Sequence, residues 1–268
     1  MRVAVLEKND RPARKVRITG KGRCNVTNNC DNNDFIRAVR GNGRFLYSAI
    51  AAFSTADTMA FFEGLGVPLK TERGNRVFPV SDQATDIVDA LVGFAKDGGA
   101  KIFTGQAAKE VLAENGQVTG VLLESGEAIP CARAVIATGG KSYPLTGSTG
   151  DGYRMAQLLG HTIAPIKPSL IPIVAKECYC AAMMGLSLRN VTLKVLDSGK
   201  KKPVFEELGE MLFTHFGVSG PLVLSASSHM TGDLSRYRME IDLKPGLTAQ
   251  QLDARLLRDF EENRNRDF

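Results

Sequence analysis

Three stretches of this chain carry residue types suited to ligand chemistry. The opening "MRVAVLEKND" is a short apolar strand, Arg2 to Leu6, ending in an acid, Glu7. A carboxylate at the end of a parallel strand accepts hydrogen bonds from ribose hydroxyls. That plan puts a glycine-rich turn about 20 residues earlier, and here the strand opens the sequence. Glu7 is therefore either an ordinary surface acid or half of a nucleotide site. In "ITGKGRCNVTN", Gly20 and Gly22 free the backbone to curl, so Lys21, Arg23 and the loop N–H groups can converge on an anion. The alternative is a solvated turn with incidental charge, although Cys24, Asn25 and their neighbours offer little apolar surface to pack. The third stretch, "ATGGKSYPLTGSTGDGY", sets Gly139, Gly140, Gly147, Gly150 and Gly152 among Ser142, Thr146, Ser148 and Thr149. It suits a backbone wall against a flat ligand, with a helix opening at Gly150 whose N-terminus favours negative charge. A long flexible loop is the competing reading.

Other chemistries find less support. A phosphate loop would need glycine five residues before Gly140, where Val135 stands. His161, His215 and His229 belong to no Ser-His-Asp order and no G-x-S-x-G elbow. Thr214, His215 and Ser219 in "FTHFGVSGP" suit either a substrate cavity or a plain strand end. Cys178 and Cys180 form a C-x-C with no second pair, so no metal site is expected. The five cysteines are odd in number and scattered, which points to reduced thiols rather than a disulfide framework.

The elements that must position these stretches are legible in part. The chain has 268 residues, 24% charged and 43% hydrophobic, a globular composition with room for one large domain or two ordinary ones. Net charge is +5, with basic clusters at Arg11 to Arg23 and Lys200 to Lys202. Without tryptophan or interleaved aromatics, no nucleic-acid partner is expected. No apolar run approaching the roughly 18 residues of a membrane span stands out, and the charged start is not a signal peptide. A cytoplasmic protein with a small-molecule substrate and no membrane partner is the expectation.

Helices are expected at residues 34–40 and 45–53, after a cap at Ser54 or Thr55, and along the Ala84, Ile87, Val88, Leu91 stripe. Gly74-Asn75 marks a hairpin. "KIFTG", "AKEVLAEN", "VTGVLLES" and "EAIPCARAVIATGG" read as a β-meander running into an apolar strand, Ala134 to Ala137. "GDGYRMAQLLG" closes a helix at Gly160. The prolines at 165, 168 and 172 mark a boundary. Beyond it come strands, a helix at 219–230, and a terminal helix from Thr248 to Arg266 whose Thr248 and Gln251 make a capping box.

Taken together, "VLEKNDRPARKVRITGKGRCNVTN", "RVFPVSDQATDIVDAL", "AVIATGGKSYPLTGSTGDGYRMAQLLGHTI" and "GEMLFTHFGVSGPLVLSASS" resemble the HI0933-like flavoproteins, the YhiN/BaiN family of NAD(P)/FAD-dependent oxidoreductases. The resemblance runs essentially from end to end. It implies an α/β fold: a glutathione-reductase-type, Rossmann-like FAD-binding domain with a β-meander over 1–166, and an inserted, mainly β, substrate-side domain with a helical part over 167–268. By that resemblance Glu7 holds the adenosine ribose, and Lys8 and Lys15 lie near it and the phosphates. Gly20, Lys21, Gly22, Arg23, Cys24 and Asn25 run along the pyrophosphate and flavin. Val111 touches adenine through its backbone, and Thr138, Gly139 and Gly140 approach the cofactor. Hydride passes from NAD(P)H to FAD and on to an unsaturated or carbonyl substrate, or to oxygen. No residue is singled out as a general acid.

The same resemblance places a strand with a G-x-G-x-x-G turn before Met1 and a flavin-facing segment after Phe268, so the fold is expected to be incomplete at both termini. Two rival readings accompany it: a non-catalytic remnant that cannot hold FAD alone, and a binding protein acting through the inserted domain with a partner chain.

Overall fold

The computed structural model describes residues 2–264. The chain divides into two compact units, Met1–Pro165 and Ile166–Phe268. In the first, β1 (Ala4–Glu7) leads through α1 (Arg14–Ile18) into the first glycine loop. β2 (Thr27–Asn28), α2 (Asn32–Ala38), α3 (Tyr47–Ala52) and α4 (Thr55–Gly64) follow. β3 (Leu69–Glu72) and β4 (Arg76–Pro79) form a hairpin, and α5 (Ala84–Asp97) returns to β5 (Lys101–Thr104). β6 (Ala108–Glu114), β7 (Gln117–Leu123) and β8 (Ala128–Pro130) then precede the second glycine loop and α6 (Asp151–Leu158).

Local sequence explains many of these elements. Ser54 and Asp57 form a reciprocal capping box that starts α4. Gly74 and Asn75 take the positive φ that turns the β3–β4 hairpin. Helix α5 buries Ala84, Ile87 and Val88, and Ala84 and Ile87 cluster with Cys24, Phe62 and Val67. Full burial of a side chain such as Ile87 stabilises the fold by about 1.5–3 kcal/mol.

Two strand expectations change. "KIFT" is not part of the meander: β5 pairs in parallel with β1, from Ala4↔Lys101 to Glu7↔Thr104. Only β6, β7 and β8 make the antiparallel meander. The apolar run Ala134–Ala137 joins no ladder among the described residues. A strand needs a neighbour for its N–H and C=O groups, and Val135 is 90% exposed.

Residues Gly43–Gly64 form a stretch long and apolar enough, by length and composition alone, to cross a membrane. That corrects the expectation from the sequence. In the structure the stretch is divided, because Phe53 is extended and Ser54 caps a new helix.

The second unit holds β9 (Ile173–Val174), α7 (Tyr179–Ala182), β10 (Ser187–Asp197), β11 (Phe205–Thr214), β12 (Gly217–Ser219), α8 (Pro221–Ser227), β13 (Tyr237–Asp242) and α9 (Ala249–Glu262). Its strands form one antiparallel sheet in the order β13-β10-β11-β12-β9. Leu193, Val195, Met211, Val223 and Ala226 are at the centre of its core. Helix α8 packs tightly on β11: a Cβ built on Gly209 would lie 3.0 Å from Leu222. Asp197, at the end of β10, is 2% exposed and is held by Arg236 through Nε at 3.0 Å and through Nη2. The Thr248–Gln251 capping box starts α9 as expected; the expected helix end at Arg266 lies outside the described residues.

Candidate functional site

The first glycine loop follows α1. Gly20, Lys21 and Gly22 take φ of 58°, 61° and 86°, Arg23 returns to the right-handed region, and Cys24 swings back to 61°. The loop closes on itself, with Arg23 N–H donating to Gly20 O at 3.4 Å and Cys24 N–H to Thr19 O at 3.0 Å; a run of left-handed residues of this kind makes a concave backbone turn of the sort that takes anions. Gly20 is required twice over. Its φ disfavours a side chain, and a Cβ there would lie 2.9 Å from the Phe78 ring and 3.0 Å from the Asn25 nitrogen.

The side chains of this loop face its scaffold. The Arg23 guanidinium lies over the Phe78 ring at 4.2 Å. It donates to Glu72 and, through Nε at 2.8 Å, to Asp82, and Lys70 donates to Asp82 at 2.6 Å. The Arg23 hydrogen bond holds the Glu72 carboxyl below its ordinary pKa. Lys70 first, and then Arg23, do the same for Asp82. Cys24 is 4% exposed. Burial pushes its thiol pKa up, against a smaller opposing effect of a hydrogen bond with Thr19. It is a core residue, not a reactive thiolate. The Asn25 amide, oriented to satisfy both ends, donates to Thr27 O at 3.0 Å and Val77 O at 3.2 Å.

Glu7 ends β1. Its Oε1 accepts from the Asn9 backbone and from Asn9 Nδ2, both at 2.8 Å. Its Oε2 has no hydrogen-bond partner among the described residues. Asn9 Nδ2 also donates to Thr146 O at 3.1 Å, which brings the second glycine loop to the strand end. Two lysines fasten that loop further. Lys8 Nζ donates to Thr149 Oγ1 at 2.7 Å and to Asp151 Oδ2 at 2.6 Å; Lys15 Nζ donates to Ser142 Oγ at 2.7 Å. The Lys8 hydrogen bond lowers the Asp151 pKa, with help from Thr149. Gly147 is needed where the loop crosses the strand end, since a Cβ there would lie 2.6 Å from Asn9 Nδ2. Gly139 lies beside Ser148, and Gly152 sits against Thr138 and Ile136, so Thr138 and Gly139 pack on the turn that opens α6. Gly140 is near the Tyr153 hydroxyl.

Val111 sits in β6, the edge of the meander, with its side chain 6% exposed. Arg154 of α6 donates to Lys109 O of the same strand at 2.7 Å. The structure thus brings Glu7, Lys8 and Lys15 together with the second loop, and ties Val111's strand to the helix that follows it. It engages the Arg23 side chain with Glu72, Asp82 and the Phe78 ring, and buries Cys24. Sequence reasoning missed Asn9, Glu72, Phe78, Asp82 and Asp151. Asn9 carried a signal, a polar side chain two residues past the strand-end acid; the others are brought in by the fold.

Comparison with known proteins adds to this geometry. A 3-dehydro-bile acid delta(4,6)-reductase of Clostridium scindens is 30% identical over 254 residues, 93% of this chain and 60% of that protein. A ribosomal RNA dihydrouridine synthase of Escherichia coli is 30% identical over 257 residues, 93% of this chain and 61% of that protein. The chain thus spans about three fifths of the length of these relatives. Among solved structures, an open conformation of a flavocytochrome c3 fumarate reductase matches with a TM-score of 0.42 at 20% identity, over 60% of this chain and 36% of that one. The HI0933-like protein Rossmann domain matches residues 1–228, and the chain belongs to that family.

Proposed function

We propose that this protein is a flavin-dependent oxidoreductase that holds FAD on the strand end and glycine loops of its first unit. The observation that carries the reading is Glu7. It ends a parallel strand in a chain of a Rossmann family, with one oxygen fixed by Asn9 and the other open. A ribose diol binds to a carboxylate in that position. The rest of the site fits the same group: a positive-φ cradle at Gly20–Gly22, and two lysines beside a second glycine loop.

When bound, FAD supplies the acceptance and delivery of a hydride. The chain's own residues bind and orient. Glu7 accepts from the ribose through Oε2 while Asn9 keeps its carboxylate aimed. The Gly20–Asn25 loop runs along the pyrophosphate and flavin edge, with Lys21 beside it. Lys8 and Lys15 offset phosphate charge. The Val111 backbone meets adenine, and Thr138, Gly139 and Gly140 allow close approach of the backbone. Arg23 and Cys24 act by fixing the loop's shape.

NADH or NADPH is the hydride source, and the substrate is a small molecule bearing a carbon–carbon double bond conjugated to a carbonyl. The name of one relative, a 3-dehydro-bile acid delta(4,6)-reductase, supports this class, and that of another, a ribosomal RNA dihydrouridine synthase, supports reduction of an unsaturated ring. The cytoplasm, where five unpaired cysteines stay reduced, is the proposed location.

The test is the visible spectrum of the purified chain with and without FAD, for the wild type and for Glu7→Gln. Stoichiometric bound flavin in the wild type, weakened about 10- to 100-fold by the substitution, is expected. A wild type that takes up no flavin, or a variant that binds it equally well, removes the reading.

A further inference from the structure

The second unit carries a concentration of positive charge that the flavin reading leaves unused. Between β10 and β11 the chain makes a loop with three consecutive lysines, Lys200, Lys201 and Lys202. The loop is pinned at its root. Gly199 N–H donates to Asp197 Oδ1 at 3.0 Å. Lys200 N–H donates to Asp197 O at 2.8 Å, Ser198 N–H to Arg236 O at 3.1 Å, and Val204 N–H to Val195 O at 2.8 Å. Buried Asp197 is in turn clamped by Arg236. The lysines are thus presented on a fixed platform rather than a loose tail.

Most of their charge has no partner among the described residues. Lys200 reaches Asp197 only at 3.9 Å, on an acid already engaged by Arg236. Lys201 and Lys202 have no ion pair or hydrogen bond among the described residues. Nearby acids of the sheet are matched elsewhere, Glu206 with Lys194 at 3.0 Å and Glu240 with Arg238 at 2.5 Å. Neighbouring like charges repel, and an anion placed among them relieves that repulsion.

The three lysines line an open concavity of about 620 Å³ together with Pro203, Val204 and His229. His229 follows α8, its N–H bonded to Ala226 O at 2.9 Å and its ring edge-on to Phe205 at 5.1 Å. Three lysines beside the apolar Pro203 and Val204 suit a phosphate group attached to an apolar body.

We infer that the Lys200–Lys202 loop and His229 form a binding site for a phosphate-bearing ligand of the nucleotide type. The site lies wholly within the second unit and stands whether or not the first unit holds flavin. Two sources carry that chemistry, a free mononucleotide and the backbone of single-stranded RNA.

The experiment measures binding of inorganic phosphate, uridine monophosphate and a short uridine-rich single-stranded RNA by the wild-type chain and by the double variant Lys201→Glu, Lys202→Glu. Both lysines are exposed, and a melting curve equal to the wild type's verifies the fold. For the source that binds, the variant is expected to weaken affinity at least about tenfold and to flatten the salt dependence, by about 0.7 in logarithmic slope per lost contact for single strands. Binding of the mononucleotide as tightly as the RNA identifies a free ligand; binding of the RNA alone identifies the polymer. A wild type that binds none of the three at low salt, or a variant that binds them as the wild type does, overturns the inference.

Discussion

The two glycine loops of the first unit have similar composition and opposite anchorage. The loop at Thr19–Asn25 is built onto a core. Cys24 is buried, Gly20 presses on Phe78, Asn25 bonds to the β4 backbone, and Arg23 is stapled to two acids. The loop at Thr138–Gly150 hangs from polar side chains of residues 8, 9 and 15, while Tyr143 and Leu145 are 67% and 88% exposed. The first is shaped before any ligand arrives. The second is fastened by the lysines that an anionic ligand would also attract, so its closure and ligand binding draw on the same charges. Similar glycine content therefore says little about rigidity; the anchoring atoms decide it.

Gly20→Ala should break this comparison most severely. It forces a side chain into a left-handed φ and against Phe78 and Asn25 N, so unfolding of the first unit by urea should come early, by about 2–3 kcal/mol. An unchanged midpoint would mean the loop is not built onto the core.

Arg23→Ala should come next, with a smaller loss that depends on pH. Glu72 and Asp82 have folded pKa values below their unfolded ones. Their contribution is therefore present above the unfolded values, about 4.3 and 3.9, and is lost as pH falls through the lower folded values. The gap in urea midpoint between wild type and variant should be full at neutral pH and close under acid conditions. A gap constant with pH would assign Arg23's role to its stacking on Phe78 rather than to its charge.

Gly152→Ala tests the other loop. The new Cβ meets Thr138 Oγ1 at 2.5 Å and Ile136 at 2.9 Å, but those residues belong to no ladder and have room to shift. A gain in helix propensity partly offsets the strain, so the net loss should be about 1 kcal/mol or less. A cost equal to that of Gly20→Ala would erase the contrast between the loops.

Lys8→Met should leave global stability within about 1 kcal/mol while releasing the second loop. Limited proteolysis near Tyr143–Leu145 should quicken in the variant, and in the wild type at raised salt, where exposed charge pairs are screened. Equal cleavage rates under all these conditions would show that the lysines do not hold the loop.

What could be read from the sequence follows the range of the interaction. The Thr248 capping box, the Gly74-Asn75 turn and the α5 stripe are local, and each was legible; the cap of α4 was legible as Ser54 or Thr55, and the structure selects Ser54. The parallel pairing of β1 with β5 joins ends far apart in the chain, and "KIFT" on its own looks like any meander strand. Ala134–Ala137 has strand-like side chains, but pairing is a property of neighbours. Within the site, the glycine loops and strand-end acid stood out by composition. The aim of Arg23 did not, because Glu72 and Asp82 reach it only through the hairpin and the start of α5. Lys8 and Lys15 were visible as charges, while their hold on Asp151 and Ser142 needed the folded loop.

The cysteines give this chain a built-in reporter. Cys178 is exposed in the second unit, and Cys24 is sealed in the core of the first. A maleimide dye added to the native protein should mark Cys178 promptly and reach Cys24 only when the first unit opens. The lag between the two labels is then a clock for the scaffold beneath the first glycine loop, and a ligand that closes that scaffold should slow it without touching the early label.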